Sequence, residues 1–552
     1  MNYKLLHTDP QQDLYTRLFE IRNIQDSLED FLHPTYAKHW WEPSQLHDID
    51  KAVDRIAQAI TQQEKIMIFG DYDVDGLMSS FVLYTFVRKY IGYHNISIQL
   101  PHRQRDGYGI KSYHLDEIQE LGCTLVITVD NGITAVQEAA HAQEIGLDMI
   151  VTDHHHALDT LPDAYALINP QVSPEVEFKE ICGATVAYKL ALHLADKIHM
   201  DTKLKNKFFQ EMLPFVGIAT IADCMPLVDQ NRLIVKEALE KMNSSRLTLT
   251  SSLQWFLDYL NIEEVDTYHI GFMIAPRLNA SGRMWSAHDG LACLLCSDPL
   301  KQHWLLENLD RINSERKDTQ EKMITTAIEI ADTSKHIIIA ASEKFNAGIV
   351  GIVAGRLTEK HYKPSVILEI NKEKGIATWS LRWPEYFNIV EMLQDADELL
   401  IRYGGHEQAG GLTVSLDQLD VMRERFEQYC VDKIWPDIPT KQLIVDTILH
   451  EHEMDSQLYD SLKQFGPYGI GNEQPKFLIE DVLISRVDVI GKKERKHLKI
   501  HCNKGTVKFH IMRRGMWDEA DTLSLYTPVS VIGTIKKDDR NGGWYVDGKE
   551  VF

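Results

Sequence analysis

The sequence predicts an α/β protein: a doubly wound parallel sheet, a long connecting helix, a smaller α/β unit and a β-rich C-terminal unit. Three observations predict it. From residue 64 short apolar strands alternate with helical segments (KIMIFG, ISIQLP, CTLVITVD, DMIVTD, YALINP), the pattern of parallel βαβ units. Residues 302–331 are charged and helically periodic over a long stretch, as a helix bridging two domains is. After residue 439 strands such as HLKIHC and TVKFHIM follow one another, ending near the turn signal DDRNGGW.

In chain order, residues 1–63 are polar and helical in pattern. The expected sheet begins at residue 64, with helices over 77–90 and 133–145, and extends into a helical region at 183–331. A second α/β region runs from HIIIAAS to about residue 435 and carries PSVILEI and the glycine-rich RYGGHEQAGGLTV; IWPDIP then leads into the β-rich tail. The expected divisions are 1–63, 64–300, 301–334, 335–438 and 439–552. A chain of 552 residues is too long for one core. Hydrophobic residues make up 44% and charged residues 25%, as in a soluble globular protein. No apolar run approaches the ~20 residues of a membrane span. The start, MNYKLLHTDPQQDLY, has no basic-then-apolar pattern, so a cytoplasmic protein without membrane contact is expected. Seven scattered cysteines argue against a disulfide framework, and the lone CxxC of Cys293 and Cys296 reads as buried small hydrophobes.

The chemistry lies at the strand ends, where ligands bind to such sheets. In GDYDVDG (70–76) Asp71, Asp73 and Asp75 alternate, and carboxylates this close repel one another unless a cation neutralises them. A calcium loop is excluded, because Val82 stands where that motif needs Glu. Asp130 ends LVITVD before the turn signal Asn131–Gly132. TDHHH (152–156) ends another strand: adjacent histidines rarely arise from core packing, and Asp153 is placed to orient a neighbouring imidazole. Asp223 interrupts the apolar GIATIADCMPL, where an ionised carboxylate is costly unless compensated. Oxygen-rich ligands with one or two imidazoles suit two manganese or magnesium ions better than structural zinc, and phosphate-ester hydrolysis is the reaction that most needs such charge. The net charge of −23 argues against nucleic-acid binding over the whole surface. Residues 485–514, however, hold ten Lys/Arg and two Asp/Glu, a local +8 that fits a barrel tracking a phosphate backbone. Aromatics there are few, Phe509 and nearby Trp517, so backbone electrostatics should dominate and binding should weaken with salt.

These motifs, in this order, resemble the four metal-binding motifs of the DHH phosphoesterase superfamily. APRLNASGRM (275–284), GIVGIVAGRL (348–357), GGHEQAGG (404–411) and PYGIGNEQPKF (467–477) narrow the resemblance to the RecJ single-stranded-DNA exonucleases. The resemblance covers nearly the whole chain from residue 64. It implies a DHH domain, a DHH-associated domain and an oligonucleotide-binding (OB) domain. Asp73, Asp75, Asp130, His154 and Asp223 would be metal ligands, with Asp130 bridging, and Asp71 and His155 would act in close support. Arg103 in RQRDGYG, with Ser380 and Arg382, would hold a terminal 5′-phosphate. Arg277, Asn279 and Arg283 would contact the strand near the cut, and His406 would face the metals across the cleft. Without the resemblance, 277–283 reads as a polar loop after a helix. The sequence departs from the family pattern at Phe345–Asn346, where Trp-His is frequent, and at Trp383, where a small residue is more usual. The implied activity is 5′→3′ hydrolysis of single-stranded DNA to mononucleotides in recombination and repair, fed by a helicase and a single-strand-binding protein. A phosphoesterase acting on short oligonucleotides or cyclic dinucleotides is the alternative enzyme, which the basic C-terminal module opposes. A non-catalytic replication scaffold is the alternative from another class, which the complete ligand set opposes.

Overall fold

The computed structural model describes residues 3–552 apart from 104, 245, 385, 388, 407–408, 435–440, 493–494 and 539–541. Most of IWPDIP, two positions of the basic segment and the middle of DDRNGGW lie outside the described residues. The segment read as helical at the start contains the helices Leu14–Glu20, Leu28–Leu32 and Ile49–Thr61, but it opens with a strand, β1 (Tyr3–His7). That strand exists because it pairs with residues 443–447 near the other end of the chain, a contact no local pattern records.

The first sheet comprises β2 (Lys65–Phe69), β3 (Ile96–Gln99), β4 (Cys123–Val129), β5 (Asp148–Thr152) and β6 (Ala166–Ile168), all parallel, in the order β3-β2-β4-β5-β6. Successive side chains of a strand face opposite sides. Ile66 and Ile68 therefore enter one core with the helices Val74–Thr85 and Gly183–Lys197, while Met67 and Phe69 enter another with Ser112–Glu120 and Val136–Glu144. This is the doubly wound arrangement. The chain turns one way from β2 to β3 and the other way to β4, so the switch point lies at the carboxyl ends of β2 and β4, where a ligand crevice forms. The helix after β2 starts at Val74, earlier than the expected 77, because Asp73 caps it; beyond Thr85 it widens into a π-helical stretch, Phe86–Ile91.

APRLNASGRM corrects the loop expectation: Ala275–Met284 is a helix, entered through Pro276 in its first turn. Burial of Leu278, Ala280 and Ser281 overrides the weak helix propensity of Asn, Ser and Gly there. A 32-residue helix, Pro299–Ile330, leads to the second sheet. That sheet has β7 (Ile338–Ser342), β8 (Ser365–Asn371), β9 (Ile376–Arg382), β10 (Leu400–His406) and β11 (Ala409–Ser415), in the order β10-β11-β9-β8-β7.

The C-terminal unit contains β12 (Leu443–Ile448), β13 (Phe477–Lys492), β14 (Arg495–Lys504), β15 (Val507–Arg514), β16 (Pro528–Lys537) and β17 (Trp544–Val551). The sequence β13-β14-β15-β17-β16 closes back onto β13, with β15 and β17 parallel, which is an OB-type barrel. Beyond it, β12 and β1 add in parallel, and Leu18, Phe31 and Leu32 of the N-terminal segment join the barrel-side core. Phe509 is buried in that core, so it offers no surface for bases, and the side chain of Trp517 lies outside the described residues. An aromatic on the barrel exterior is Tyr545, stacked on His510 at 5.3 Å. No helix among the described residues is long and apolar enough to cross a membrane.

Buried basic side chains lock the units together. The Arg232 guanidinium donates to the carbonyls of Phe31 (2.6 Å), Phe465 (3.0 Å) and Gly466 (2.9 Å), and so joins the helix Asp229–Ser244, the N-terminal segment and the loop leading into the barrel. Lys189 Nζ donates to the Trp41 carbonyl and sits 3.6 and 3.7 Å from the Trp40 and Trp41 ring centres, where burial holds its pKa well below the usual range.

Candidate active site

Each motif delivers its acid from a strand or helix end. Asp73 accepts from Gly76 N (3.1 Å), and the Asn279 side-chain oxygen accepts from Val74 N (3.1 Å), so two side chains cap the helix that carries Asp75. Asp75 in turn accepts from Gly183 N (2.6 Å) and Ala184 N (2.8 Å), the open N-terminus of a helix that favours anions. A Cβ at Gly183 would stand 2.8 Å from Asp130 Oδ1, so only glycine lets that helix end approach both acids. Asp130 itself takes a left-handed φ of 62°, a strain held by its neighbour: Asn131 Nδ2 donates to Phe69 O (3.2 Å) and Val129 O (2.9 Å), tying β2 to β4. Asp153 is fully buried and serves as an anchor. It accepts from Ile133 N (2.9 Å), His154 N (2.8 Å) and His155 Nδ1 (2.8 Å). Asp223 caps the C-terminal end of the helix Thr202–Ala222.

These ends converge. His154 Nε2 lies 3.2 Å from Asp130 Oδ1, 3.5 Å from Asp223 Oδ2 and 3.6 Å from Asp75 Oδ2. Asp75, His154 and Asp223 form one group of potential ligands, and Asp71, Asp73 and Asp130 form another. Asp130 also groups with Asp153, His154 and His155, which puts it between the two. The residues fit divalent cations on a specific observation: Asp71 Oδ1, Asp130 Oδ1 and His154 Nε2 are buried yet have no hydrogen-bond partner, which is costly for bare polar atoms. Burial, followed by the charges of neighbouring aspartates, holds the carboxyls of Asp71, Asp130 and Asp223 well above the usual range. Burial opposes the charging of His155, but the hydrogen bond and charge of Asp153, aided by Asp223 and Asp73, push it up to about 9.

A cationic wall faces the acids. Arg103 lies over the Tyr72 ring at 4.7 Å. Arg382 donates to Ser380 Oγ (3.1 Å), and Arg283 donates to the Gly348 carbonyl (3.3 Å), bridging the two α/β units. A Cβ at Gly351 would stand 2.9 Å from Ser380 Oγ, so the helix Val350–His361 needs glycine to close on this pair. Burial lowers Arg283 to about 10, and the charge of Arg103 acts in the same direction while Asp73 opposes it. Burial and Arg103 likewise lower Arg382, which places the three arginines in one field. Arg277 is not brought into this group: Asp310 (2.9 Å) and the Met273 carbonyl (2.7 Å) hold its guanidinium. His406 ends β10 opposite Ala409, and its side chain lies outside the described residues. The departures at Phe345 and Trp383 are absorbed into cores, the latter 4.0 Å from the Phe387 ring. Asn346 caps the following turn by accepting from Gly348 N (2.8 Å).

Sequence reading missed Tyr108. Its hydroxyl donates to the Asp130 carbonyl (3.2 Å) and lies 3.0 Å from His155 Nδ1. Its place in RQRDGYG beside Arg103 was the available signal. Arg316 on the long helix was missed too; its charge acts on Arg283, and nothing in its helical surroundings marked it.

The fold and this site define a class, the DHH-type pairing of two α/β units, and comparison with known families agrees. The family described as "DHH family, N-terminal domain" matches residues 65–220, the DHHA1 domain matches 334–432, and the RecJ OB domain matches 445–547. The single-stranded-DNA-specific exonuclease RecJ of Bacillus subtilis is 35% identical over 482 residues, covering 86% of this chain and 59% of its own length. That of Salmonella typhimurium is 30% identical over 481 residues, covering 84% of this chain and 82% of its own. The crystal structure of RecJ in complex with Mn2+ from Thermus thermophilus superposes with a TM-score of 0.81 at 26% identity, over 98% of this chain and 75% of that one. A structure of exonuclease RecJ bound to manganese gives 0.61 at 30% identity, over 70% and 95%. The chain belongs to the RecJ family of single-stranded-DNA-specific exonucleases.

Proposed function

We propose that this chain is a metal-dependent 5′→3′ exonuclease that hydrolyses single-stranded DNA to mononucleotides in the cytoplasm, during recombination and repair, with a helicase and a single-strand-binding protein as partners. The observation that carries the reading is the pair of ligand groups, Asp75–His154–Asp223 and Asp71–Asp73–Asp130, set opposite Arg103, Arg283 and Arg382. Manganese or magnesium is the cation in the related structures and suits this oxygen-rich set. Asp73, Asp75, Asp130, His154 and Asp223 would hold two ions between them, with Asp130 shared, and Asp71, which lies in one of the ligand groups, would take a direct share as well. When bound, the ions supply the positive charge that lets a phosphodiester rest beside these carboxylates and lower the pKa of the attacking water.

The chain's own groups do the rest. Arg382 with Ser380, and Arg103 above Tyr72, grip the terminal 5′-phosphate and thereby select the end from which cutting starts. Arg283 neutralises the next phosphate, and Asn279 keeps the Asp73–Asp75 turn in place through Val74 N. His155, charged and held by Asp153, donates to a phosphate oxygen, and Tyr108 fixes its ring edge-on. His406 would face the ions from the other side of the cleft. Arg277, engaged by Asp310, supports the helix that carries Asn279 and Arg283.

Polarity and strand selectivity test the reading. Single-stranded and duplex DNA, each with a 5′ or a 3′ end blocked by a bulky adduct, are incubated with the protein and manganese. Digestion of single strands that stops only at a 5′ block is the expected result. Digestion past a 5′ block, or equal digestion of duplex, contradicts it. Arg382→Ala should reduce the preference for a 5′-phosphate over a 5′-hydroxyl by about 10–100-fold.

A further inference from the structure

Two large aromatic side chains stand in the open on the turn that leads into the helix carrying Arg283. Tyr268 is 59% and Phe272 66% exposed, and their rings stack on each other at 5.0 Å and 24°. Their neighbours Ile270 and Ile274 are buried, so the helix spends its apolar face on the core and still leaves this pair uncovered. A π-helical turn, His269–Ile274, runs directly into the helix Ala275–Met284. Phe272 lies in the π-helical turn and Arg283 in the last turn of the helix it leads into, eleven residues further on and roughly 16 Å along the helical axis. A Cβ at Gly271 would stand 3.9 Å from Ile221 Cγ2, so this turn packs against the helix that ends at Asp223.

On its other side the pair borders the barrel. Glu264 bridges to Lys463 at 2.6 Å, and the Asp266 carboxylate, paired with His269 at 2.5 Å, acts on Lys536 of β16. Lys536 is directly opposite Tyr545 across the β16–β17 ladder, and directly opposed residues point to the same face. Tyr545 stacks on His510 and accepts from Arg514 at 3.3 Å. Phe272 and Tyr268 thus stand on the stretch between Arg283 at one end and, at the other, Asp266, whose charge reaches Lys536 opposite Tyr545; the acids beside Tyr268 are engaged by Lys463 and His269.

Resting on the exonuclease reading above, we propose that the Tyr268–Phe272 pair is a base-stacking platform for the single strand on the 3′ side of the scissile phosphate, about five stacked nucleotides from the cut and between the cleft and the barrel. Nucleobases are the occupant because this stretch continues at both ends into groups suited to a phosphate backbone. The aromatic faces offer contact without hydrogen-bond readout, so stacking is tolerant of sequence.

The test compares wild type with the double variant Tyr268→Ala/Phe272→Ala in the full chain with manganese, on a 20-nucleotide strand and on a 4-nucleotide strand. The KM advantage of the long strand over the short one should shrink about tenfold in the double variant. The loss should vanish when nucleotides 4–7 from the 5′ end are abasic, since wild type then has no bases to stack there. Tyr268→Trp/Phe272→Trp should restore the advantage. An unchanged KM on the long strand overturns the proposal, and so does an equal loss on normal and abasic strands. Absence of single-strand digestion by the wild type would instead contradict the exonuclease reading itself.

Discussion

Asp130 concentrates the physics of the site in one side chain. It is buried, strained in the left-handed region, and surrounded by the charges of Asp75, Asp73, Asp223 and Asp71. Without a cation this repulsion destabilises the fold; with one it becomes binding energy. Asp130→Asn should therefore raise the melting temperature in chelator, abolish most of the manganese-induced rise, and reduce hydrolysis by about 10³-fold or more. A manganese-induced rise equal to that of wild type would contradict the assignment. The same carboxyls set a pH dependence. Their raised pKa values mean that the folded, metal-free chain binds more protons than the unfolded one, so its stability rises as pH falls through that raised range. Metal stabilisation moves the opposite way, because protons compete for the ligands. Melting curves with and without manganese should converge as pH is lowered from neutral. The individual acids were legible in the sequence because each ends a strand or helix. What the sequence could not show is that Asp75 takes its hydrogen bonds from Gly183 and Ala184, far along the chain, or that Tyr108 reaches His155.

At the scale of elements, the doubly wound sheet was legible from its alternation of strands and helices, and its switch point locates the crevice without further information. The helix Ala275–Met284 was not legible, because Asn, Ser and Gly argue locally for a loop while burial of Leu278 and Ser281 decides otherwise. Likewise β1 depends on a pairing with the far end of the chain. Arg232 shows how strongly such distant contacts bind elements together: its guanidinium satisfies carbonyls from two other segments. Arg232→Ala removes the donor from the Phe31 and Gly466 carbonyls, while Phe465 keeps that of Asn472, and should cost about 3 kcal/mol in urea denaturation, with loosening of the N-terminal segment from the catalytic side. A change under about 0.5 kcal/mol would show that the contact carries no weight.

Across the whole molecule, the net charge of −23 contrasts with two local concentrations of positive charge. One is the arginine wall of the cleft and the other the exterior of β14 and β15. Long-strand binding should therefore weaken with salt, with a slope of log affinity against log salt of about −3 to −4 if some five phosphates are neutralised, whereas hydrolysis of a 4-nucleotide strand should respond less. A slope near zero would contradict a backbone-tracking barrel. The central claim is that two ligand groups meeting at Asp130 make a metal-dependent 5′ exonuclease. The most direct measurement is release of labelled mononucleotide from a 5′-labelled single strand by wild type and Asp130→Asn, each with manganese and with chelator. The account predicts immediate release by wild type with manganese and none in the other three reactions. Release by wild type in chelator, or undiminished release by Asp130→Asn, would contradict it.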